Sequence, residues 1–154
     1  MSGRVVFLDI DGPVIPFSMF LIDPMASADR ILAPIPLAVL KVLCEKSGAL
    51  VVFNSTHNQS WDDIPDIDEQ MIAYGFSGDF IHSDMKTKYP TLSREDAVLE
   101  WLSRHPKIDD WIAFDDARFT DAENLIWVDP DAGLHLSHLN KALDRWNCSQ
   151  FLVL

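Results

Sequence analysis

The chain is poor in cysteine, in basic residues and in long apolar runs, and each shortage narrows what it can be. Cys44 and Cys148 are the only cysteines, and Cys44 falls in an apolar segment with helical spacing, so no disulfide framework is expected. No stretch of roughly 18 apolar residues is present to cross a bilayer. The N-terminal apolar run is broken by Asp9 and Asp11, which denies it the apolar core of a secretory signal. A cytoplasmic protein without a membrane partner is the expectation. Lysine and arginine number 12 against 24 acidic residues, a formal charge of −12. Such a surface repels nucleic-acid phosphates, because non-specific binding rests on basic side chains displacing counterions. An anionic substrate must then be held locally, and a divalent cation at a carboxylate cluster would reverse the field in one small place. Internal repeats and low-complexity tracts are also lacking.

What remains is an ordinary globular composition over 154 residues, enough for one domain with a buried core, so a single domain spanning 1–154 is expected. Residues 4–10 (RVVFLDI), 49–54 (ALVVFN), 111–116 (WIAFDD) and 124–129 (NLIWVD) read as short, nearly all-apolar strands. Between them, 35–46 has helical spacing with Pro36 in its first turn and Gly48 at its stop. A helix over about 66–74 is expected within a loosely assigned stretch, 61–83. Another helix is capped by Thr91 or Ser93 and runs to about Arg104, with Ala97, Val98, Trp101 and Leu102 inward. A last helix over 134–146 points Leu136, Leu139 and Leu143 inward, and 151–154 (FLVL) offers an edge strand. Residues 16–34, with three prolines, read as an irregular excursion able to cover a site. Alternating strands and helices imply an α/β, three-layer, Rossmann-like parallel sheet with helices on both faces. In such sheets the site lies beyond the carboxyl ends of the strands, where the chain order reverses.

Three strand ends carry chemistry. Asp9 and Asp11, two apart at the end of the first strand, point to one side of an extended backbone, and Gly12 permits a tight exit. A carboxylate inside a buried strand is costly unless paired or metal-bound. Asn54, Ser55 and Thr56 end the second strand with neutral donors. Asp115 and Asp116 end the third, where adjacent like charges raise each other's pKa and a hard cation such as Mg²⁺ relieves them.

Together D-x-D-G, N-S-T and D-D resemble the haloacid dehalogenase (HAD) superfamily, most of whose members are phosphatases. REDAVLEWLSRHPKIDDWIAFDD followed by VDPDAGL is similar to the branch named for the HAD domain of Swiss Army Knife RNA repair proteins. The resemblance implies a Mg²⁺-dependent phosphatase with a minimal cap, here the 13–34 excursion. It casts Asp9 as nucleophile and Asp11 as general acid/base. It places the metal on Asp9, Asp11 (through its backbone carbonyl), Asp115 and Asp116, and phosphate binding on Ser55, with Thr56 beside it. The phosphate-binding base is Arg94 on the branch pattern, or Lys86 or Lys88 on the superfamily's usual lysine. The implied partner is a phosphorylated substrate, with RNA or nucleotide ends suggested by the branch. A phosphotransferase, or a fold-retaining binding domain without turnover, remains the alternative. Two positions depart from the pattern. Pro13 follows Gly12 where Thr or Val is usual and deletes an N–H, and His57 replaces a common Trp and reads as a partly exposed loop histidine. His135 and His138 read as surface residues, since no further ligand is spaced to complete a zinc site. The five tryptophans, Trp61, Trp101, Trp111, Trp127 and Trp146, read as core packing.

Overall fold

The computed structural model describes residues 3–27, 31–59, 64–76, 78–120 and 123–151. Five strands, β1 (Gly3–Leu8), β2 (Leu50–Phe53), β3 (Ile81–Lys86), β4 (Ile108–Asp115) and β5 (Leu125–Trp127), form one sheet in the order β3-β2-β1-β4-β5. Every pairing is parallel. Among the described residues four α-helices accompany them: α1 (Pro34–Ser47), α2 (Ile64–Ala73), α3 (Arg94–Ser103) and α4 (Leu136–Arg145).

Strand alternation divides the core in two. Val6 and Leu8 of β1, Val51 and Phe53 of β2, and Ile112 and Phe114 of β4 point to one face, where they pack with Leu37, Leu40 and Leu43 of α1, Ile67 and Met71 of α2, and Leu139 and Leu143 of α4. Val5, Phe7, Val52 and Ala113 point the other way, against Val98 and Trp101 of α3. Burial on both faces is why these strands read as unbroken apolar runs rather than alternating ones. The Phe7 ring meets Trp101 edge-on at 5.4 Å, adding an aromatic contact to the thinner layer. α1 stops as expected, with Gly48 at φ 73° donating its N–H to the Cys44 carbonyl, and Ser93 caps α3 by accepting from the Asp96 N–H. Both cysteines are free thiols. Among the described residues no helix is long and apolar enough to cross a membrane.

β3 was not expected from the sequence. Its residues, IHSDMK, carry little apolar patterning, and it pairs with β2 irregularly, through Val51 with Ile81 and Phe53 with Lys86. Tertiary bonds hold it: the Trp101 indole N–H donates to the Asp84 carbonyl at 3.0 Å, and Arg104 lies 2.7 Å from the Asp84 carboxylate. The excursion is partly regular, with a 3-10 turn at Phe17–Leu21. Leu136, expected inward, is 37% exposed at the open end of its stripe, beside Ile35 and Phe151 in a shallow apolar groove. His138, expected at the surface, is buried, and its Nδ1 accepts the His135 N–H to cap α4. Burial, together with neighbouring His135 and Lys141, lowers its pKa to about 4, so it packs as a neutral ring. Of the tryptophans, Trp101 and Trp146 are core, Trp111 is half-buried, and Trp127 is exposed. Trp61 and most of the 151–154 edge strand lie outside the described residues.

Candidate active site

The order of connection reverses at β1: β2 and β3 lie to one side, β4 and β5 to the other. In parallel sheets of this kind the site lies beyond the strand ends at such a reversal, here those of β1 and β4. Asp9 follows β1 and its N–H donates to the Phe114 carbonyl at 3.1 Å, so the sheet's own ladder seats it beside Asp115. A reversal follows at once: the N–H groups of Val14 and Ile15 both donate to the Ile10 carbonyl, and Gly12 donates to Ile15. Gly12 holds φ 103°, and a Cβ there would come within 3.1 Å of Asp116 Oδ2. Only glycine turns the chain that sharply while leaving the second acidic strand end in place. Pro13 fits the same turn, its carbonyl accepting from the Leu134 N–H at 2.9 Å.

Asp9, Asp115 and Asp116 each bring a carboxylate oxygen to within 4.8 Å of the other two. Asp9 is 2% exposed and Asp115 1%. The Ile10 N–H donates to Asp9 Oδ1 at 2.9 Å, whereas Asp9 Oδ2 is buried without a hydrogen-bond partner among the described residues. Its nearest positive charge is Arg94 Nη1, 3.2 Å away but not aligned to donate; the same nitrogen does donate to Asp115, at 3.0 Å from Oδ2 and 3.2 Å from Oδ1. Burial, then the charge of Asp115, push Asp9 well above the ordinary carboxylate range, and Arg94 offsets only part of this. Asp115 is raised to about 6, again chiefly by burial, against the opposing pull of Arg94 and the Ala117 N–H. Three acidic groups with one cation among them, and a buried oxygen lacking a donor, are what a divalent ion would complete. The all-oxygen donor set fits magnesium.

Asp11 has a different setting. Ser27, from the excursion, donates its hydroxyl to Asp11 Oδ1 at 2.6 Å, and His57 Nε2 lies 3.1 Å from Asp11 Oδ2. Burial raises Asp11, but the bonds from His57 and Ser27 and the nearby Arg94 outweigh it, and the net shift is downward. Both oxygens are engaged, so this side chain stands apart from the three-carboxylate cluster. His57 is thus no idle loop residue. Ser55, fully buried, accepts the His57 N–H at 3.2 Å, while Thr56 points outward.

Of the three candidate bases, the fold brings Arg94 to Asp9 and Asp115. Burial opposes its charge, but those two carboxylates more than compensate and keep it a cation. It is positioned from behind: its guanidinium lies 4.5 Å from the centre of the Tyr89 ring, and its carbonyl accepts from Asn54 Nδ2, whose Oδ1 in turn takes the Thr87 hydroxyl at 2.6 Å. Lys88 instead lies 3.4 Å from Glu100, and Lys86 ends β3. Ser27, Thr87 and Tyr89 gave no signal as site residues, because each acts through a partner distant in the chain.

A family model described as the HAD domain in Swiss Army Knife RNA repair proteins matches residues 5–139. No curated protein and no solved structure gives a significant match. The matched span runs from β1 into α4 and takes in Asp9, Asp11, Ser55, Arg94, Asp115 and Asp116, so the chain belongs to the family of HAD domains found in Swiss Army Knife RNA repair proteins.

Proposed function

We propose that the protein is a magnesium-dependent phosphomonoester hydrolase working through an aspartyl phosphate on Asp9. Membership of a HAD family supports a phosphatase-like activity in general. The observation that carries the specific reading is Asp9 Oδ2, a buried carboxylate oxygen with no hydrogen-bond donor among the described residues, close to Asp115, Asp116 and Arg94. A strand-end carboxylate so placed is costly to a structural protein and useful to an enzyme needing an unencumbered nucleophile.

In the first step an Asp9 oxygen bonds to phosphorus as the ester P–O bond breaks, and Asp11 delivers a proton to the departing oxygen. In the second, Asp11 takes a proton from water, the water oxygen bonds to phosphorus, and the Asp9–phosphorus bond breaks to release phosphate. Asp9, Asp115 and Asp116, with the Asp11 backbone carbonyl, would hold the magnesium, which when bound would supply positive charge to offset the phosphoryl oxygens and keep Asp9 ionised. Arg94 orients those oxygens from the other side. Ser55 accepts from the His57 N–H, which leaves its hydroxyl proton free to donate to the substrate. His57 and Ser27 hold Asp11 in one orientation and favour its carboxylate, the form that the second step uses. We read the chain as one unit with the 13–34 segment as its small cap. Ser27 makes that cap part of the site. A cover this short leaves room for large substrates, and the family name points to phosphorylated RNA ends.

The test is turnover of an aryl phosphate by metal-stripped protein. None is expected until Mg²⁺ is added, and Asp9→Asn should abolish it; retained activity in that variant would overturn the reading. A second reading, a binding domain without turnover, is favoured by one feature: Arg94 Nη1 already lies between Asp9 and Asp115. Trapping by beryllium fluoride with Mg²⁺ separates the two, since only a competent nucleophile forms the aspartyl complex.

A further inference from the structure

Arg94 is the candidate base that stands beside Asp9, and Lys86 and Lys88 have another setting. They line a separate cavity of about 280 Å³ together with Asn58, Gln59, Thr87 and Tyr89. This cavity adjoins the candidate active site through two shared walls. Tyr89, which lines it, is the ring over which Arg94 lies, and Arg94 reaches Asp9 at 3.2 Å. Asn58, which also lines it, donates to the carbonyls of Phe53 and Thr87, and so fastens the cavity to the end of β2 next to Ser55.

Its chemistry differs from that of the surrounding surface. Residues 86–94, KTKYPTLSR, hold three of the 12 basic residues and no acidic one, in a chain whose net charge is −12. Lys88 is 60% exposed, and its one carboxylate partner among the described residues, Glu100, is more tightly engaged by Arg104 at 2.6 Å than by Lys88 at 3.4 Å. An exposed pair of that kind contributes little, so Lys88 can exchange Glu100 for a ligand at small cost.

We propose that this cavity binds a second anionic phosphate of the substrate, on the leaving-group side of the scissile phosphomonoester. The proposal rests on the phosphohydrolase reading for the word substrate, but not for the site itself. It makes the preferred substrate a molecule with two phosphates. That chemistry is shared by nucleoside bisphosphates and by the phosphorylated end of a dinucleotide.

The experiment compares kcat/KM with Mg²⁺ on a nucleoside 3′,5′-bisphosphate, the two corresponding monophosphates and dinucleotides phosphorylated at either end. The bisphosphate or a dinucleotide should exceed the monophosphates by about tenfold or more, the scale of one charge-assisted hydrogen bond. Lys86→Ala/Lys88→Ala should bring that ratio to near one. Preference for the dinucleotide identifies a phosphodiester as the second group, and preference for the bisphosphate a terminal phosphate; either supports the site. A wild-type ratio near one, or a ratio unchanged in the double variant, overturns it. Binding of the bisphosphate to Asp9→Asn protein, with and without the lysine changes, is measured in parallel by calorimetry. If no phosphate ester is turned over but lysine-dependent binding persists, the hydrolase reading fails and the anion site stands. Lys86→Gln/Lys88→Gln replaces the alanine pair if the latter lowers the unfolding midpoint.

Discussion

Asp9 and Asp11 leave the same strand end two residues apart, yet the fold drives them in opposite directions. Asp9 is sealed in with Asp115 and Asp116 and raised well above the usual carboxylate range, whereas Asp11 accepts from Ser27 and His57 and is lowered. Neighbouring groups of one type can thus be set to different tasks by burial and hydrogen bonding alone. The group raised by burial and like charges calls for a cation, and the group held by donors is ready to accept a proton.

Removing either carboxylate is the strongest way to break the contrast. Asp9→Asn should cost at least about 10³ in kcat, the scale of losing a nucleophile, while raising the thermal midpoint of the metal-free protein, because one of three crowded acids is gone. Asp11→Asn should cost about 10²–10⁴ on alkyl phosphates and far less on an aryl phosphate whose leaving group needs no proton. An equal loss on both would remove Asp11 from the acid role.

The two settings also predict opposite responses to pH in chelator. Asp115 titrates near 6 in the fold against 3.8 ordinarily, so the folded state binds more protons in that interval. Its contribution is therefore most favourable at low pH and is lost as pH rises through about 6, a loss of roughly 3 kcal/mol. Asp11, lowered on folding, contributes stability that is present above its ordinary value and is lost as pH falls through its folded one. Denaturant unfolding across pH should show the first slope flatten in Asp115→Asn and the second in Asp11→Asn. The smallest effect expected is that of His57→Ala. It should cost about tenfold in kcat, the worth of one hydrogen bond to a charged group, with little change in KM, and His57→Gln should recover part of it.

Much of this was visible before any fold was known. Buried parallel strands must be apolar throughout, so RVVFL, LVVF and WIAF stood out, and the acids that interrupt them marked the strand ends. β3 did not stand out, because an edge strand pinned by Trp101 and Arg104 needs little apolar patterning of its own. His57 was expected to be a partly exposed loop histidine, which it is, but without its bond to Asp11, and His138 a surface one. Nothing local distinguishes a histidine that meets Asp11 across 46 positions, or one that caps its own helix from within the core.

The sequence by itself determined the layered α/β architecture, through strand and helix periodicity, and the two acidic strand ends, through the cost of placing carboxylates where only apolar residues belong. The tertiary structure decided which base stands beside Asp9, what holds Asp11 and where the two lysines went. Arg94, His57 and Ser27 come from a helix start, a 3-10 turn and an irregular excursion, and only parallel pairing around β1 brings all three to one edge.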